Sequence, residues 1–188
     1  MKVWIIRHGQ SETNNAGLWT GWHDAKLTEK GQEEAARAGR MLQGIRFDQV
    51  WSSDLARAME TARRALPGCE PVTSPLLREI NVGKLALQPL NVVEPDEKRD
   101  LIANGYAAYG GETHRELEQR ILAFRETLET MEAENVALFT HAGWLHGFLN
   151  LALEVKLTRD HIRFNNCLVA IFEYQNGKWM LHSWMNAL

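Results

Sequence analysis

Lys2-Val3-Trp4-Ile5-Ile6-Arg7-His8-Gly9 is the stretch that decides the fold. Val3 to Ile6 is an unbroken apolar run of residues that favour strands, and it stops at a polar cluster. Such a run fits a strand covered on both faces, as in a parallel sheet, because a half-exposed strand alternates apolar and polar residues. Downstream, the period changes. Thr28 to Leu42 reads as a helix, with Thr28 as N-cap, Ala35, Ala38, Met41 and Leu42 on one face, and Gly44 as a stop. Asp48 to Ser53 is a second short strand centred on Val50 and Trp51, and Leu55 to Leu66 a helix closed by Pro67-Gly68. A third short strand is expected near Val72.

Further on, Thr113 to Met131 reads as a helix, and Thr113 followed by Glu116 has capping-box spacing. Val136 to Phe139 is another buried strand, ending at Thr140-His141, and Gly143 to Leu153 a helix. Cys167 to Tyr174 and Lys178 to Trp184 form two strands joined by a turn containing Asn176-Gly177. Pro89, Pro95 and Gly105 punctuate a poorly periodic stretch from about Lys84 to Gly111, which reads as a small cap insertion and not as a linker. The alternation predicts an α/β fold: a three-layer sandwich with a largely parallel central sheet, helices on both faces, and the cap over the C-terminal ends of the strands. Residues 1–188 are expected to form a single domain, the cap lying at about 84–111.

The bulk properties narrow the function classes. Forty-five per cent hydrophobic residues over 188 positions suffice for a sizeable core. A net charge of -3 gives no global reason to expect nucleic acid or an anionic membrane as partner, so any anion binding must come from a local cluster of Arg and His. The apolar run Val3–Ile6 is too short for a signal peptide or a membrane span, and a soluble cytoplasmic protein is expected. Cys69 and Cys167 lie far apart without metal-ligand spacing; two free thiols are expected, although spacing leaves a disulfide open. No metal motif is present, so neither metal nor cofactor is expected, and the oligomeric state stays open.

In open sheets of this kind, ligands bind beyond the carboxyl ends of the strands. Three polar clusters sit there: Arg7-His8-Gly9, Ser52-Ser53-Asp54 and Thr140-His141-Ala142-Gly143. A lone histidine after a strand is more often a satisfied polar residue than a reactive one. His8 is flanked by Arg7, Gly9 permits close approach of a ligand, and amides at a following helix N-terminus would favour an anion. Arg57, Arg63 and Arg64, each taken alone, read as solvated helix residues.

Several segments, in order, resemble the histidine phosphatase superfamily, also called the phosphoglycerate mutase-like family. They are Ile6-Arg7-His8-Gly9-Gln10-Ser11-Glu12-Thr13-Asn14; Thr20-Gly21-Trp22 through Gly31; Ser52-Ser53-Asp54-Leu55-Ala56-Arg57-Ala58; Leu77-Arg78-Glu79-Ile80-Asn81-Val82-Gly83; and Phe139-Thr140-His141-Ala142-Gly143. The resemblance implies that His8 is a nucleophile forming phosphohistidine, that Arg7 and Arg57 grip phosphate oxygens, that His141 completes the phosphate pocket, and that Glu79 is the acid that protonates the leaving alkoxide. It implies that Asn14, Thr20, Gly21 and Ala142 lie against the substrate, although Thr20 and Gly21 read equally as an ordinary turn. Gly111-Glu112-Thr113 resembles a segment near the site in phosphatase members, but the capping box accounts for it as well. Of the remaining histidines, His146 is the one expected near the pocket, and Trp19, Trp22 and Tyr106 are candidates for its mouth.

The compact layout and the tail His161-Ile162-Arg163-Phe164-Asn165-Asn166-Cys167 are similar to the small bacterial phosphatases of the α-ribazole phosphatase type. Val82 stands where mutases of this pattern carry a substrate-contacting tyrosine, and the insertion is modest; both favour hydrolysis. Lys84-Leu85-Ala86-Leu87 replaces the Trp-Glu-Gly often found after Gly83, and Ala142 replaces a common glycine, which bears on substrate choice. The expected function is therefore a metal-independent phosphomonoesterase for a small phosphorylated metabolite. A phosphoglycerate mutase and a catalytically weak phosphate-binding protein are the alternatives.

Overall fold

The computed structural model describes residues 1–187 except 95, 96, 98, 99, 102 and 103; Pro95, one of the residues punctuating the insertion, lies outside the described residues. Six strands form one sheet: β1 (Lys2–Arg7), β2 (Gln49–Ser52), β3 (Val72–Thr73), β4 (Asn135–Thr140), β5 (Leu168–Gln175) and β6 (Lys178–Asn186), in the order β3-β2-β4-β1-β5-β6. The first four in that order are parallel, while β5 runs antiparallel to β1 and β6 antiparallel to β5. The expected α/β sheet is present, largely parallel with an antiparallel hairpin at one edge. That hairpin turns at Asn176 and Gly177, both with positive φ (52° and 75°), as a tight turn matched to strand twist requires.

Helices cover both faces. α2 (Glu29–Met41) and α3 (Ala56–Ala65) lie on one side, where Ala35, Ala38, Ala62 and Ala65 pack with Ile6, Ala137, Phe139 and Val169. Small alanines let these two helices approach the sheet and each other closely. α4 (His114–Glu129) and α5 (Ala142–Leu153) lie on the other, where Ile121, Phe124, Leu128, Trp144 and Phe148 pack with Val3, Ile5, Leu138 and Phe172. β1 alternates its side chains between these two cores, which explains why its run is apolar without a break. Thr28 caps α2 by accepting from the Gly31 amide, and Thr113 with Glu116 closes a capping box on α4.

Residues 87–90, in the stretch expected to form the cap, are tied to residues 17–19. Trp19 and residues 87–88 exchange backbone hydrogen bonds (Leu87 N to Trp19 O, 2.8 Å; Trp19 N to Gln88 O, 2.9 Å), and Leu90 N donates to Gly17 O at 2.9 Å. Leu85, Val93 and Leu101 are buried in the core beneath. Cys69 and Cys167 are both free thiols. Among the described residues, no helix is long and apolar enough to cross a membrane.

Candidate active site

The site begins with strand register. β1 and β4 are parallel neighbours with Arg7 opposite Thr140, so the residues that follow them, His8 and His141, leave the sheet side by side. Their ring centroids are 5.1 Å apart. β2 flanks β4 with Ser52 opposite Phe139, and the chain then turns through Ser53 and Asp54 into α3, which carries Arg57. Parallel pairing thus brings three segments far apart in sequence to one edge.

His8 is buried, and its ring is oriented from two sides. Nδ1 lies 2.7 Å from Gly9 O, which can only accept, so Nδ1 carries the proton. Nε2 is then the basic nitrogen, and Arg57 Nε donates to it at 3.3 Å. Burial, then Arg57 and then Arg7, hold the His8 pKa well below its ordinary value, so the imidazole is neutral at pH 7. Arg57 is fully buried, against the solvated reading of an arginine at a helix start. Its other nitrogens donate to His23 O (2.9 Å) and Gly21 O (2.8 Å), which aims the guanidinium at His8. Arg63 and Arg64 do stay exposed, paired with Glu70 and Glu60.

Arg7 donates to Phe164 O through one terminal nitrogen, while its buried Nε has no hydrogen-bond partner among the described residues. Burial pushes both arginines down to about 10, which still leaves them charged at neutral pH. His141 is fully buried, with neither ring nitrogen partnered among the described residues; burial, then Arg57, keep it well below the ordinary histidine value. Positive charge and unpaired donors converge where an anion would be held.

Glu79 faces them from the other wall. Its carboxylate accepts from the Ile80 amide (2.9 Å) and from the Gly143 amide in the first turn of α5 (3.2 Å), where the helix dipole favours a negative group. Arg7, His8, Arg57 and Glu79 line a single cavity of about 250 Å³ together with Asn14, Thr20, Gly21 and Ala142. Leu18, Trp19, Ile80, Val82, Leu90 and Tyr106 supply its apolar wall, and Arg159 and Asn166 complete it. His141 is not on the cavity surface; it abuts His8.

Some expectations are corrected. Gly9 serves backbone packing and not ligand approach: a Cβ there would lie 2.3 Å from Gly31 O, at the start of α2. The helix following His8, α1 (Glu12–Asn15), is a single turn and offers no anion site, because the amides leading into it are taken. Gly9 N donates to Thr61 Oγ1, Gln10 N to Glu34 Oε2, Ser11 N to Asn14 Oδ1 and Glu12 N to Lys26 O. His146 lies near the cavity as expected, within electrostatic reach of Glu79 and Arg159, but does not line it; its Nε2 lies 2.7 Å from Leu157 O, in the loop after α5. Trp22 also lies off the cavity wall, donating from Nε1 to Glu79 O at 2.7 Å.

Residues that sequence reading passed over cluster around Glu79. Arg120, on α4, donates to Glu112 through Nε (2.8 Å) and a terminal nitrogen (2.9 Å), and to the carbonyls of Leu76, Arg78 and Glu79. A signal was available: Arg120 lies three residues after the buried Leu117 and four before the buried Phe124, so a charged residue stands on the helix's core face. Arg159 and Asn166, in the cavity wall, carry no comparable mark.

Comparison with known proteins identifies the family. Residues 3–187 match the model of the histidine phosphatase superfamily, branch 1. GpmB of Salmonella paratyphi A, named provisionally as a phosphoglycerate mutase, is 26% identical over 194 residues, covering 98% of this chain and 90% of that protein. A structure from Escherichia coli K-12, assigned provisionally as an alpha-ribazole-5'-P phosphatase, superposes with a TM-score of 0.88 at 25% identity, covering 100% of this chain and 98% of the other. TTHB049 of Thermus thermophilus gives 0.79 at 29% identity, with 99% of each chain covered. With the match running through both edges of the sheet and every segment of the site, the chain belongs to the histidine phosphatase superfamily.

Proposed function

We propose that the protein is a phosphomonoesterase that hydrolyses a small phosphorylated metabolite through phosphohistidine at His8. The observation that carries this reading is the fixed tautomer of His8: Nδ1–H donates to Gly9 O and Nε2 keeps its lone pair, beside the buried guanidinium of Arg57 and the partly buried one of Arg7. That lone pair attacks phosphorus, the N–P bond forms, and the ester P–O bond breaks. Arg7 and Arg57 hold the phosphoryl oxygens and spread their charge, and His141, off the cavity surface, backs the His8 ring. The alkoxide leaves with a proton from the Glu79 carboxyl group. Water then attacks phosphorus and gives its proton to the Glu79 carboxylate; inorganic phosphate and neutral His8 are released. Asn14, Thr20, Gly21 and Ala142 frame the phosphoryl end of the cavity, and the wall formed by Trp19, Leu90 and Tyr106 meets the alcohol.

A cavity of about 250 Å³ suits a small substrate. The E. coli neighbour's name makes α-ribazole 5'-phosphate the first natural compound to assay. The likeness to GpmB supports a second reading, a mutase. A mutase must keep water from the phosphoenzyme, and Val82, in place of a bulkier side chain, leaves the wall beside Glu79 small.

The test is phosphate release from an aryl phosphate by wild type and His8→Ala. We expect a drop of at least about a thousandfold, on the scale of losing a nucleophile. Equal rates would remove the enzyme reading. Following one sample of phosphoglycerate for release and isomerisation separates the two activities: isomerisation that exceeds release would favour the mutase.

A further inference from the structure

Glu79 does not sit in a helix or a strand. It lies in the segment between the 3-10 turn Pro75–Leu77 and the turn Gly83–Leu85, where no ladder fixes the backbone. Its backbone acceptors are instead satisfied by side chains arriving from other elements. Leu76 O accepts from Arg120 and from Trp144 Nε1 (2.8 Å), Leu77 O from Thr140 Oγ1 (2.7 Å), and Arg78 O from Arg120 (3.1 Å). Glu79 O accepts from Arg120 (3.2 Å) and from Trp22 Nε1 (2.7 Å). Glu112 closes the far side: its Oε2 accepts from Asn81 N at 2.8 Å and its own amide donates to Asn81 O at 2.8 Å. One guanidinium therefore spans three carbonyls of the segment, and one carboxylate both locks that guanidinium and holds the residue two beyond Glu79.

We propose that Arg120, locked by Glu112, is a positioning residue that sets the proton-donating carboxyl of Glu79. This rests on the phosphatase reading above. Arg120 and Glu112 do not line the cavity, and their side chains are only 15% and 13% exposed. The Glu112 carboxylate 2.8 Å away offsets much of the Arg120 charge, whose effect on His141 ranks below those of burial, Arg57, His8 and Arg7, so the pair acts mainly through geometry. The planar guanidinium is what allows three carbonyls to be reached from one side chain; a lysine offers a single nitrogen on a flexible stem and cannot span them. Loss of the clamp frees the Glu79 carbonyl and lets the carboxyl drift. A misplacement of about 1 Å can cost on the order of a hundredfold where proton transfer matters.

The test uses leaving groups. Wild type, Glu79→Gln, Arg120→Lys and the double variant are compared by kcat/KM, which reports the steps through phosphohistidine formation and not its hydrolysis, on an alkyl phosphate, whose departing oxygen needs a proton, and on a nitrophenyl phosphate, whose oxygen does not. Arg120→Lys is expected to slow the alkyl ester about tenfold to a hundredfold and the aryl ester about twofold, the same pattern as Glu79→Gln. In the Glu79→Gln background, Arg120→Lys should cost little more, because the group it positions is already gone. Parallel slowing of both esters, or additive losses in the double variant, would overturn the clamp and leave only a structural role. If Arg120→Lys does not fold, as judged by thermal unfolding, Glu112→Gln is read by the same two criteria and decides in its place. Should Glu79→Gln itself slow both esters equally, the general-acid reading of Glu79 fails, and the clamp with it. Loss of all release in His8→Ala, with that result, would leave the nucleophile standing.

Discussion

Gly143 has no side chain because the carboxylate of Glu79 occupies its place. A Cβ there would lie 2.2 Å from Glu79 Oε1, and the backbone amide beside it is one of the two that the carboxylate accepts from. Gly143→Ala should therefore displace the carboxyl while α5 keeps its hydrogen bonds. We expect loss of activity on alkyl phosphates of about a hundredfold, with unfolding temperature little changed, since alanine favours a helix over glycine. Unimpaired alkyl phosphate turnover in Gly143→Ala would show that the position of Glu79 is not critical. At this scale the sequence was unevenly legible. His8, Glu79 and His141 stand in segments whose order resembles a family, but burial of Arg57 contradicts what a helix-start arginine ordinarily does. Only contacts with Gly21 O and His23 O, from a loop some thirty positions away, explain it. Gly9 misled for a similar reason: the partner that needs its small size is backbone at Gly31, invisible until the chain folds back.

Elements were easier to read where the signal is local. The Thr113–Glu116 capping box and the Thr28 cap depend on residues three apart, and both formed as written. The segment from Pro75 to Val82 has no periodicity beyond one 3-10 turn, because most of its carbonyls bond to side chains of α4, α5 and β4 and not to a ladder. Such a segment leaves no pattern for a sequence to show. α5 links both halves of the sheet edge. Trp144 stacks on Phe148 at 5.2 Å, and Phe148 meets Phe172 of β5 (5.0 Å) and Trp179 of β6 (5.2 Å) edge to face. Phe148→Ala removes the ring shared by all three and is expected to cost about 3–5 kcal/mol in urea unfolding, while Phe148→Leu should cost distinctly less. Equal costs for the two would mean that the hairpin is held by its backbone ladder and that the aromatic cluster adds little.

The whole molecule places two neutral imidazoles, His8 and His141, just past the C-terminal ends of β1 and β4 and sets the guanidiniums of Arg7 and Arg57 beside them. Both pKa values are held well below the ordinary 6.5, first by burial and then by Arg57. In the unfolded chain each histidine titrates near its ordinary value, so below about pH 6.5 the unfolded state binds protons that the folded state refuses. Stability is then nearly undiminished above about pH 6.5 and falls as the pH drops below it. The slope is about 1.4 kcal/mol per pH unit for each histidine until the folded groups protonate. Between about pH 7.5 and 5.5 stability in urea unfolding should therefore fall through the pair. His146, half-buried and shifted the same way, steepens the fall; the depressed carboxylates Asp48, Asp54 and Glu116 act at lower pH, since their pKa values lie below the ordinary range. His141→Gln isolates one contribution, because glutamine does not titrate: its stability should drop distinctly less than that of wild type over the same interval, whatever its starting stability. An equal drop in the two proteins would mean that His141 takes up a proton in the folded state. The charge arrangement proposed around His8 would then hold one positive group more than the phosphoryl site described above.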